Sequence, residues 1–233
     1  MSPTLKEMEA EHQEITSEYA DSTMGKVLNM DCLEHMKQIP DNYYDLCLTD
    51  PPYGIKWKPI LYSSGEVKGN FENKHDSFNW DNSAPNTDTF EEIKRVSKHQ
   101  VIWGANYFNC FDGSGGALVW HKNKGAPTLS ACEIASISWQ KKVDFVFIQA
   151  LTGFCADEEN FHPTQKPLKL IKHCVNMAMD KYRPQTIFDP FGGSGTTAIA
   201  AKSLGLDWCI CELEEDYCKI AEERLKKVQL NLF

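Results

Sequence analysis

A four-residue turn, Asp50-Pro51-Pro52-Tyr53, directly follows an apolar run and contains the residue types that bind an amino group. The two prolines remove backbone N–H donors and restrict φ, so the turn presents carbonyl oxygens, one carboxylate and one aromatic ring. A carboxylate and a carbonyl accept the two hydrogens of an exocyclic amine, and an aromatic ring stacks on the flat heterocycle that carries it. Such acceptors favour attack by a delocalised amine without a covalent enzyme intermediate. The alternative is a rigid turn in which Asp50 satisfies local N–H groups and Tyr53 is a core residue.

A second candidate site is the segment Phe-Gly-Gly-Ser-Gly-Thr-Thr at residues 191–197, between a predicted strand and a predicted helix. Glycines let a ligand approach the backbone, and the start of a helix offers unpaired N–H groups. The segment lacks the lysine of a P-loop and does not match the dinucleotide-binding fingerprint. Glu212 ends the next predicted strand, where an acidic side chain binds ribose hydroxyls in doubly wound folds. These features predict a ligand that contains a nucleoside, and the alternative is a tight turn with no ligand.

Short apolar runs alternate with amphipathic segments over residues 24–233, which predicts a single α/β domain. The sheet is expected to be mainly parallel and doubly wound, with helices on both faces. The predicted strands are residues 27–30, 43–50, 100–108, 116–122, 186–190 and 208–213, with a hairpin in 133–149. The predicted helices are residues 32–39, 88–98, 168–179, 195–205 and 214–229. Residues 1–23 are predicted to be an acidic leader, either mobile or a docking helix.

Composition narrows the class of protein. The net charge is −9, of which −8 belongs to residues 1–50, whereas residues 51–187 carry +2. A polyanion would therefore meet the middle of the chain. The nine cysteines include no CxxC pair, which indicates a reduced, cytoplasmic protein without a metal site. No apolar run is long enough for a membrane helix, so no membrane partner is expected.

The two motifs together resemble the S-adenosylmethionine-dependent amino-methyltransferases of DNA. The turn at residues 50–53 comes first and the glycine-rich segment comes late, which is the order of their permuted beta group. Residues 101–108, Val-Ile-Trp-Gly-Ala-Asn-Tyr-Phe, resemble the small N6-adenine methylases of phages and prophages. The resemblance covers most of residues 26–228. It implies a seven-stranded Rossmann-like methyltransferase sheet with small target-recognition insertions, and site-specific methylation of adenine N6 in DNA after base flipping.

The resemblance also implies roles for individual residues. Asp50, Pro51, Pro52 and Tyr53 would form the catalytic turn. The residues implied for binding S-adenosylmethionine are Asp31, Cys32, Thr164, Lys166, Asp189, Phe191, Gly192, Gly193, Ser194, Gly195, Thr196 and Glu212. Of these, Asp31 and Cys32 would contact the adenine and Glu212 the ribose, while Thr164 and Lys166 would help hold the amino-acid end. We expect Trp103, Tyr107 and Phe108 to be core residues and Asn106 to face the pocket.

Double-stranded DNA is the expected partner. Residues 54–87 and 121–160 are the predicted target-recognition segments, and Lys56, Lys58, Lys122, Lys124, Lys141 and Lys142 in them are predicted to contact phosphates. These segments are short, which favours a small recognition site or a homodimer. A role in restriction-modification is expected, and a cognate restriction endonuclease is left open. The alternatives are N4-cytosine methylation, where Ser more often stands at the position of Asp50, and a non-catalytic nucleic-acid-binding protein that retains the fold.

Overall fold

The computed structural model describes residues 5–55, 83–108, 110–111, 113, 115–122, 130–149, 161 and 164–228, with residues 5–13 by backbone alone. The strands are β1 Lys26–Asn29, β2 Tyr44–Thr49, β3 Ser97–Trp103, β4 Ala117–His121, β5 Cys132–Ile137, β6 Val143–Phe147, β7 Thr186–Asp189 and β8 Asp207–Glu212. The helices are α1 Leu5–Thr23, α2 Cys32–Met36, α3 Thr87–Val96, α4 Ala105–Phe108, α5 Leu168–Tyr182, α6 Thr196–Ser203 and α7 Glu215–Lys226. None of the helices in these ranges is long and apolar enough to cross a membrane.

All eight strands form one sheet in the order β1-β8-β7-β2-β3-β5-β4-β6. Neighbouring strands are parallel except at β5, which is antiparallel to both β3 and β4. The sheet is therefore mainly parallel, as expected, and the described residues form eight strands of it, where seven were expected. The predicted hairpin in residues 133–149 is wrong, because β4 lies between β5 and β6 and pairs with both. Residues 105–108, predicted to continue β3, form the short helix α4 instead.

Helices cover both faces of the sheet, which confirms the doubly wound class. On one face α5, α6 and α7 pack against side chains such as Leu48 and Ile210. On the other face α1, α2 and α3 pack against side chains such as Cys47 and Cys209. Consecutive strand residues alternate between the two faces, and both faces are apolar, so the strands read as continuous apolar runs. The eight described cysteines are all free thiols, and all except Cys132 are buried.

The acidic leader forms α1, and its last turn packs on the core. Ala20 is fully buried. The Tyr19 hydroxyl lies 3.1 Å from His35 Nδ1, and the Tyr43 hydroxyl donates to Asp21 Oδ1 at 2.6 Å. The described part of residues 1–23 is therefore helical, and its last turn contacts the core.

The parallel strands bring distant parts of the chain to one edge of the sheet. β1, β8, β7 and β2 are consecutive neighbours with the same direction, so their carboxyl ends lie side by side. Asp31, Glu212, Asp189 and Asp50 stand at or just after those four ends. Ligands of open α/β sheets bind outside the carboxyl ends of the strands. The sheet therefore gathers both sequence motifs at the edge where a ligand is expected.

Arg95 fastens the second helix to the third. Its guanidinium donates to the carbonyls of Met36 at 2.6 Å and Ile39 at 2.8 Å, and it pairs with Glu92 and Asp41. The Met36 carbonyl, at the end of α2, also accepts from the Ile39 N–H at 3.0 Å. Arg95 adds charged donors at this helix end and holds α3 beside it.

The substitution Arg95→Met should lower the free energy of unfolding by about 2 kcal/mol, because hydrogen bonds from a charged donor to two carbonyls are lost. Chemical denaturation monitored by circular dichroism measures this. The control is Lys98→Met, which removes an exposed pair with Asp45 and should cost less than about 1 kcal/mol. Equal losses in the two variants would contradict the role given to Arg95.

Candidate active site

A cavity of about 410 Å³ opens at the carboxyl edge of the sheet. Its lining includes most of the predicted site residues: Asp31, Cys32, Asp50, Pro52, Thr164, Lys166, Asp189, Phe191, Gly192, Gly193, Ser194, Thr196 and Glu212. Pro51, Tyr53 and Gly195 belong to the same two motifs but are not part of the lining. The structure thus brings the catalytic turn and the glycine-rich segment to one space, although they are far apart in the chain.

The glycine-rich segment follows β7 and leads into α6, which begins at Thr196. Gly193 and Gly195 have φ values of 51° and 83°, a region that favours glycine. A Cβ at Gly195 would also lie 2.7 Å from Ala221 Cβ on α7, so the loop packs directly on that helix. The Gly192 N–H donates to the Cys211 carbonyl at 2.8 Å, which ties the loop to the end of β8. The result is a fixed backbone surface facing the cavity at a helix N-terminus.

The side chain of Glu212 is hydrogen-bonded to the backbone of the glycine-rich segment. Its Oε2 accepts from the Gly193 N–H and its Oε1 from the Glu214 N–H, both at 2.8 Å. Burial raises the pKa of Glu212, an effect that these backbone donors oppose. A carboxylate oxygen accepts more than one hydrogen bond, so the side chain keeps capacity for hydroxyl donors from a ligand.

Asp31 and Cys32 form another part of the wall. Asp31 caps α2, because its Oδ1 accepts from the Leu33 N–H at 2.7 Å and from the Glu34 N–H at 3.4 Å. Cys32 is buried, and burial raises the pKa of its thiol to about 12. The thiol therefore stays protonated and contributes packing surface rather than a nucleophile.

The carboxylate of Asp50 has a donor on each oxygen. The Tyr53 hydroxyl donates to Oδ1 at 2.8 Å, and Lys166 Nζ donates to Oδ2. Burial raises the pKa of Asp50, and the Lys166 ammonium opposes that shift. The aligned acceptor predicted for an amine is present, but a lysine ammonium binds it in this structure.

Tyr53 is held as a plate between aromatic neighbours and a glycine. Its ring stacks on Tyr107 with centroids 4.6 Å apart and planes 19° apart, and it meets the edge of Phe108 at 5.8 Å. Gly104 has a φ of 72°, and a Cβ there would lie 2.3 Å from Tyr53 Cε1. Tyr107 is 49% exposed, so the expectation that it is a core residue is wrong, whereas Trp103 is fully buried. The exposed Asn106 is not among the residues lining the cavity.

The segment around Lys166 connects the two motifs. Gln165 Oε1 accepts from the Ser194 hydroxyl at 2.9 Å and from the Phe161 N–H at 3.2 Å. Lys166 lies in the cavity wall, as predicted, but its ammonium binds Asp50 and also lies 3.0 Å from Glu133 Oε2. Thr164 also lines the cavity. Lys166 therefore contacts Asp50 of the predicted catalytic turn in addition to lining the cavity.

The lysines predicted to contact DNA divide into three groups. Lys56, Lys58 and Lys124, and most of the two predicted target-recognition segments, lie outside the described residues. Lys122 follows β4 and is paired with Glu133 beside the cavity. Lys141 and Lys142 precede β6, the outermost strand, four places from β2 in the sheet. The structure does not bring that last pair to the cavity, because β6 runs in the same direction as β2 and the residues before it lie at the opposite, amino edge of the sheet.

Three functional neighbours were missed in the sequence: Glu133, Gly104 and Arg224. Glu133 resembles any partly exposed strand residue, and nothing local marks its contact with Lys166. Arg224 looks like a solvated residue of the amphipathic α7, yet it donates to the Ser194 carbonyl at 2.5 Å and hydroxyl at 2.9 Å. Gly104 carried the one usable signal, since a lone glycine after a strand indicates close approach of another group.

Asp189 gives the site a pH-dependent contribution to stability. It is buried, and burial raises its pKa to about 6 although the Thr49 hydroxyl and the Phe191 N–H donate to it. The ordinary value is near 3.8, so between these two pH values the folded state holds the proton more tightly than the unfolded state. Stability from this group therefore falls as the pH rises through that window.

The wild type should lose about 1 kcal/mol of unfolding free energy relative to Asp189→Asn between pH 5.0 and 7.5. Denaturant titrations at both pH values measure this. The control is Asp45→Asn. Burial of Asp45 is outweighed by Lys98 and by the N–H groups of Gln185 and Thr186, which hold its pKa low. Asp45→Asn retains Asp189, so its stability difference from the wild type should be the same at both pH values. A difference that changes with pH as that of Asp189→Asn does would contradict the assignment.

Comparison with known proteins supports the motif assignment. The family of N6 and N4 methyltransferases, described as DNA methylase, matches residues 119–223, a stretch that includes the glycine-rich segment and Glu212. The type II methyltransferase M2.DpnII of Streptococcus pneumoniae is 27% identical, with 91% of this chain and 93% of the relative aligned. M.HinfI of Haemophilus influenzae, also a type II methyltransferase, is 26% identical over 89% of this chain and 70% of its own length.

Solved structures share the fold. The DNA modification methylase TTHA0409 of Thermus thermophilus aligns with a TM-score of 0.56 at 17% identity, covering 89% of this chain and 97% of its own. The M1.HpyAVI-SAM complex aligns with a TM-score of 0.51 at 22% identity, covering 86% of this chain and 99% of its own. The cytosine-N4-specific PvuII DNA methyltransferase aligns with a TM-score of 0.55 at 14% identity, covering 89% of this chain and 87% of its own. The resemblance drawn from the two motifs is confirmed, and the chain is a DNA methyltransferase.

Proposed function

We propose that this chain transfers the methyl group of S-adenosylmethionine to the exocyclic N6 of adenine in DNA. The observation that carries the proposal is the position of Asp50. Its carboxylate, braced by Tyr53, lines the same cavity as the glycine-rich segment and Glu212. An amine acceptor and a nucleoside-binding wall thus face one another, as a direct transfer between two bound molecules requires.

The cavity wall fits S-adenosylmethionine in its chemistry. The backbone of Gly192, Gly193 and Ser194 would face the amino-acid end, and Glu212 would accept from the ribose hydroxyls. Asp31 and Cys32 would border the adenine. When bound, S-adenosylmethionine supplies an electrophilic methyl group on a sulfonium. Protein groups fix its orientation, because the loop is tied to β8 through Gly192 and to α7 through Arg224.

The catalytic turn would act on the target amine. Asp50 accepts one amine hydrogen and the Pro51 carbonyl accepts the other, while the Tyr53 ring stacks on the base. These contacts draw the delocalised lone pair toward the geometry needed for attack. The proton leaves to water rather than to Asp50, because a carboxylate is too weak a base to hold it. A base paired in a duplex must first be flipped, at a cost of a few kcal/mol that stacking on Tyr53 partly offsets.

The turn also fits the amine of cytosine, which presents the same two donors on a flat ring. The fold is shared with a cytosine-N4-specific enzyme. We favour adenine because an aspartate at the first position of the turn resembles the N6-adenine enzymes. A non-catalytic binding role is disfavoured, since burying Asp50 and Lys166 beside a cavity is costly and a binding surface does not need it.

Further proposals concern partners. Double-stranded DNA would reach the cavity mouth near Lys122. A cognate restriction endonuclease is proposed from the type II methyltransferases among the relatives. A homodimer is proposed because the predicted target-recognition segments are short. The cytoplasmic location proposed from the cysteine content fits the eight free thiols of the described residues.

The decisive assay incubates the protein with S-adenosylmethionine labelled in the methyl group and unmethylated bacteriophage DNA, then digests the DNA to nucleosides. Label should appear as N6-methyladenine. Label in N4-methylcytosine would change the substrate, and label absent from DNA would contradict the proposal.

Asp50→Asn should bind the cofactor within about threefold of wild type but methylate at least about 100-fold more slowly. Wild-type methylation rates in this variant would contradict the role of Asp50.

Gly104→Ala should reduce methylation at least about tenfold, because the added Cβ displaces the ring of Tyr53 from the turn. The matched control is Gly113→Ala, which has a similar φ of 67° but no atom of the described residues within 4 Å of the added Cβ. Both variants carry a backbone cost of about 1 kcal/mol, and Gly104→Ala should lose further stability because its Cβ overlaps the Tyr53 ring. Only the first should lose activity, and equal activity in the two would argue against a plate-like role for Tyr53.

A further inference from the structure

Four side chains of alternating charge run from the catalytic turn to β4. Asp50 pairs with Lys166, Lys166 with Glu133, and Glu133 with Lys122. The Lys166 side chain is 7% exposed and those of Lys122 and Glu133 are 14% and 20% exposed. Because these side chains are largely removed from solvent, their charges must be paired, and each member depends on its neighbours.

The target amine and Lys166 compete for the same acceptor. Both oxygens of Asp50 are occupied, one by the Tyr53 hydroxyl and one by Lys166 Nζ. A carboxylate oxygen can accept more than one hydrogen bond, but an amine that enters from the cavity must share Asp50 with one of these donors or displace it. Tyr53 is held by its stack on Tyr107 and by contact with Gly104, whereas a lysine ammonium lies on a flexible stem. Lys166 is the donor that can leave.

Glu133 is the acceptor to which the ammonium can move. Its Oε1 is bound by Lys122, while its buried Oε2 lies 3.0 Å from Lys166 Nζ. Oε2 accepts no well-aligned hydrogen bond from the described part of the chain. Burial opposes ionisation of Glu133, but the ammonium groups of Lys166 and Lys122 outweigh it and hold its pKa low. The ionised Glu133 carboxylate therefore already lies beside the Lys166 ammonium.

Movement of the Lys166 ammonium from Asp50 to Glu133 would favour the positive charge that develops on the amine during methyl transfer. An amine that gains a methyl group becomes cationic before it loses its proton. A lysine ammonium on Asp50 would repel that charge and use the acceptor that should stabilise it. When the ammonium is bound by Glu133 alone, that carboxylate faces both Lys166 and Lys122, and Asp50 is left for the amine.

We propose that Lys166 occupies the amine-binding oxygen of Asp50 until a target base enters, and that Glu133 is the positioning residue that then holds the displaced ammonium. This proposal rests on the proposed function, since the displaced donor is the base amine's competitor. Lys122 keeps Glu133 in place and ionised. The Asp50 carboxylate therefore has a partner in both states: the Lys166 ammonium without substrate and the base amine with it.

A double-variant cycle tests the proposal with the full chain, saturating labelled S-adenosylmethionine and unmethylated bacteriophage DNA. In Glu133→Gln the ammonium has lost its second acceptor and stays on Asp50. Its kcat/KM for DNA should fall about tenfold, the equivalent of about 1.4 kcal/mol, with cofactor affinity within about threefold of wild type. In Lys166→Met the competitor is absent, so adding Glu133→Gln to it should cost less than about threefold.

The control is Asp144→Asn, which removes an acidic partner of Lys142 on the outer strand and should leave activity unchanged. Thermal unfolding identifies variants that fail to fold. Losses that multiply in the double variant, or an unchanged Glu133→Gln, would overturn the inference, because a purely structural Glu133 matters regardless of Lys166. Absence of label from wild-type DNA would instead overturn the proposed function, and this inference with it.

Discussion

The site depends on one constraint: a carboxylate placed at the edge of a sheet, with little water around it, must have a donor on each oxygen. Asp50 meets this constraint through the Tyr53 hydroxyl and the Lys166 ammonium. The buried ammonium needs a second carboxylate, which Glu133 provides, and Glu133 is balanced in turn by Lys122. The arrangement that keeps the acceptor stable in the absence of substrate is thus also the arrangement that substrate must open.

The fold supplies the meeting point. Four parallel neighbours, β1, β8, β7 and β2, end at one edge, so acidic residues from distant parts of the chain face a common cavity. The glycine-rich segment is fixed there by β8, by Gln165 and by Arg224 from α7. In the proposed reaction, the fixed loop on one part of the wall and Asp50, hydrogen-bonded by Tyr53, on another would restrict the reacting groups, and such orientation lowers the barrier for direct transfer.

Local patterns predicted much of this arrangement. Apolar runs placed the strands within a few residues, and the two motifs identified two segments that the fold brings to one cavity. Contacts across the sheet could not be predicted. The position of β6 beyond β4 depends on long-range pairing. Glu133 was missed because its partner, Lys166, is distant in the chain, and the exposed stack of Tyr107 on Tyr53 follows from α4, which the apolar pattern concealed.

Asp50 is proposed to exchange an internal ammonium for the amine of a flipped base. A crystal structure of the chain with S-adenosylhomocysteine and a duplex containing its methylated sequence would show this exchange. We expect a flipped adenine stacked on Tyr53, its amine within hydrogen-bond distance of Asp50 Oδ2, and Lys166 Nζ bound by Glu133 alone. A base amine that contacts other acceptors while Lys166 remains on Asp50 would contradict the exchange.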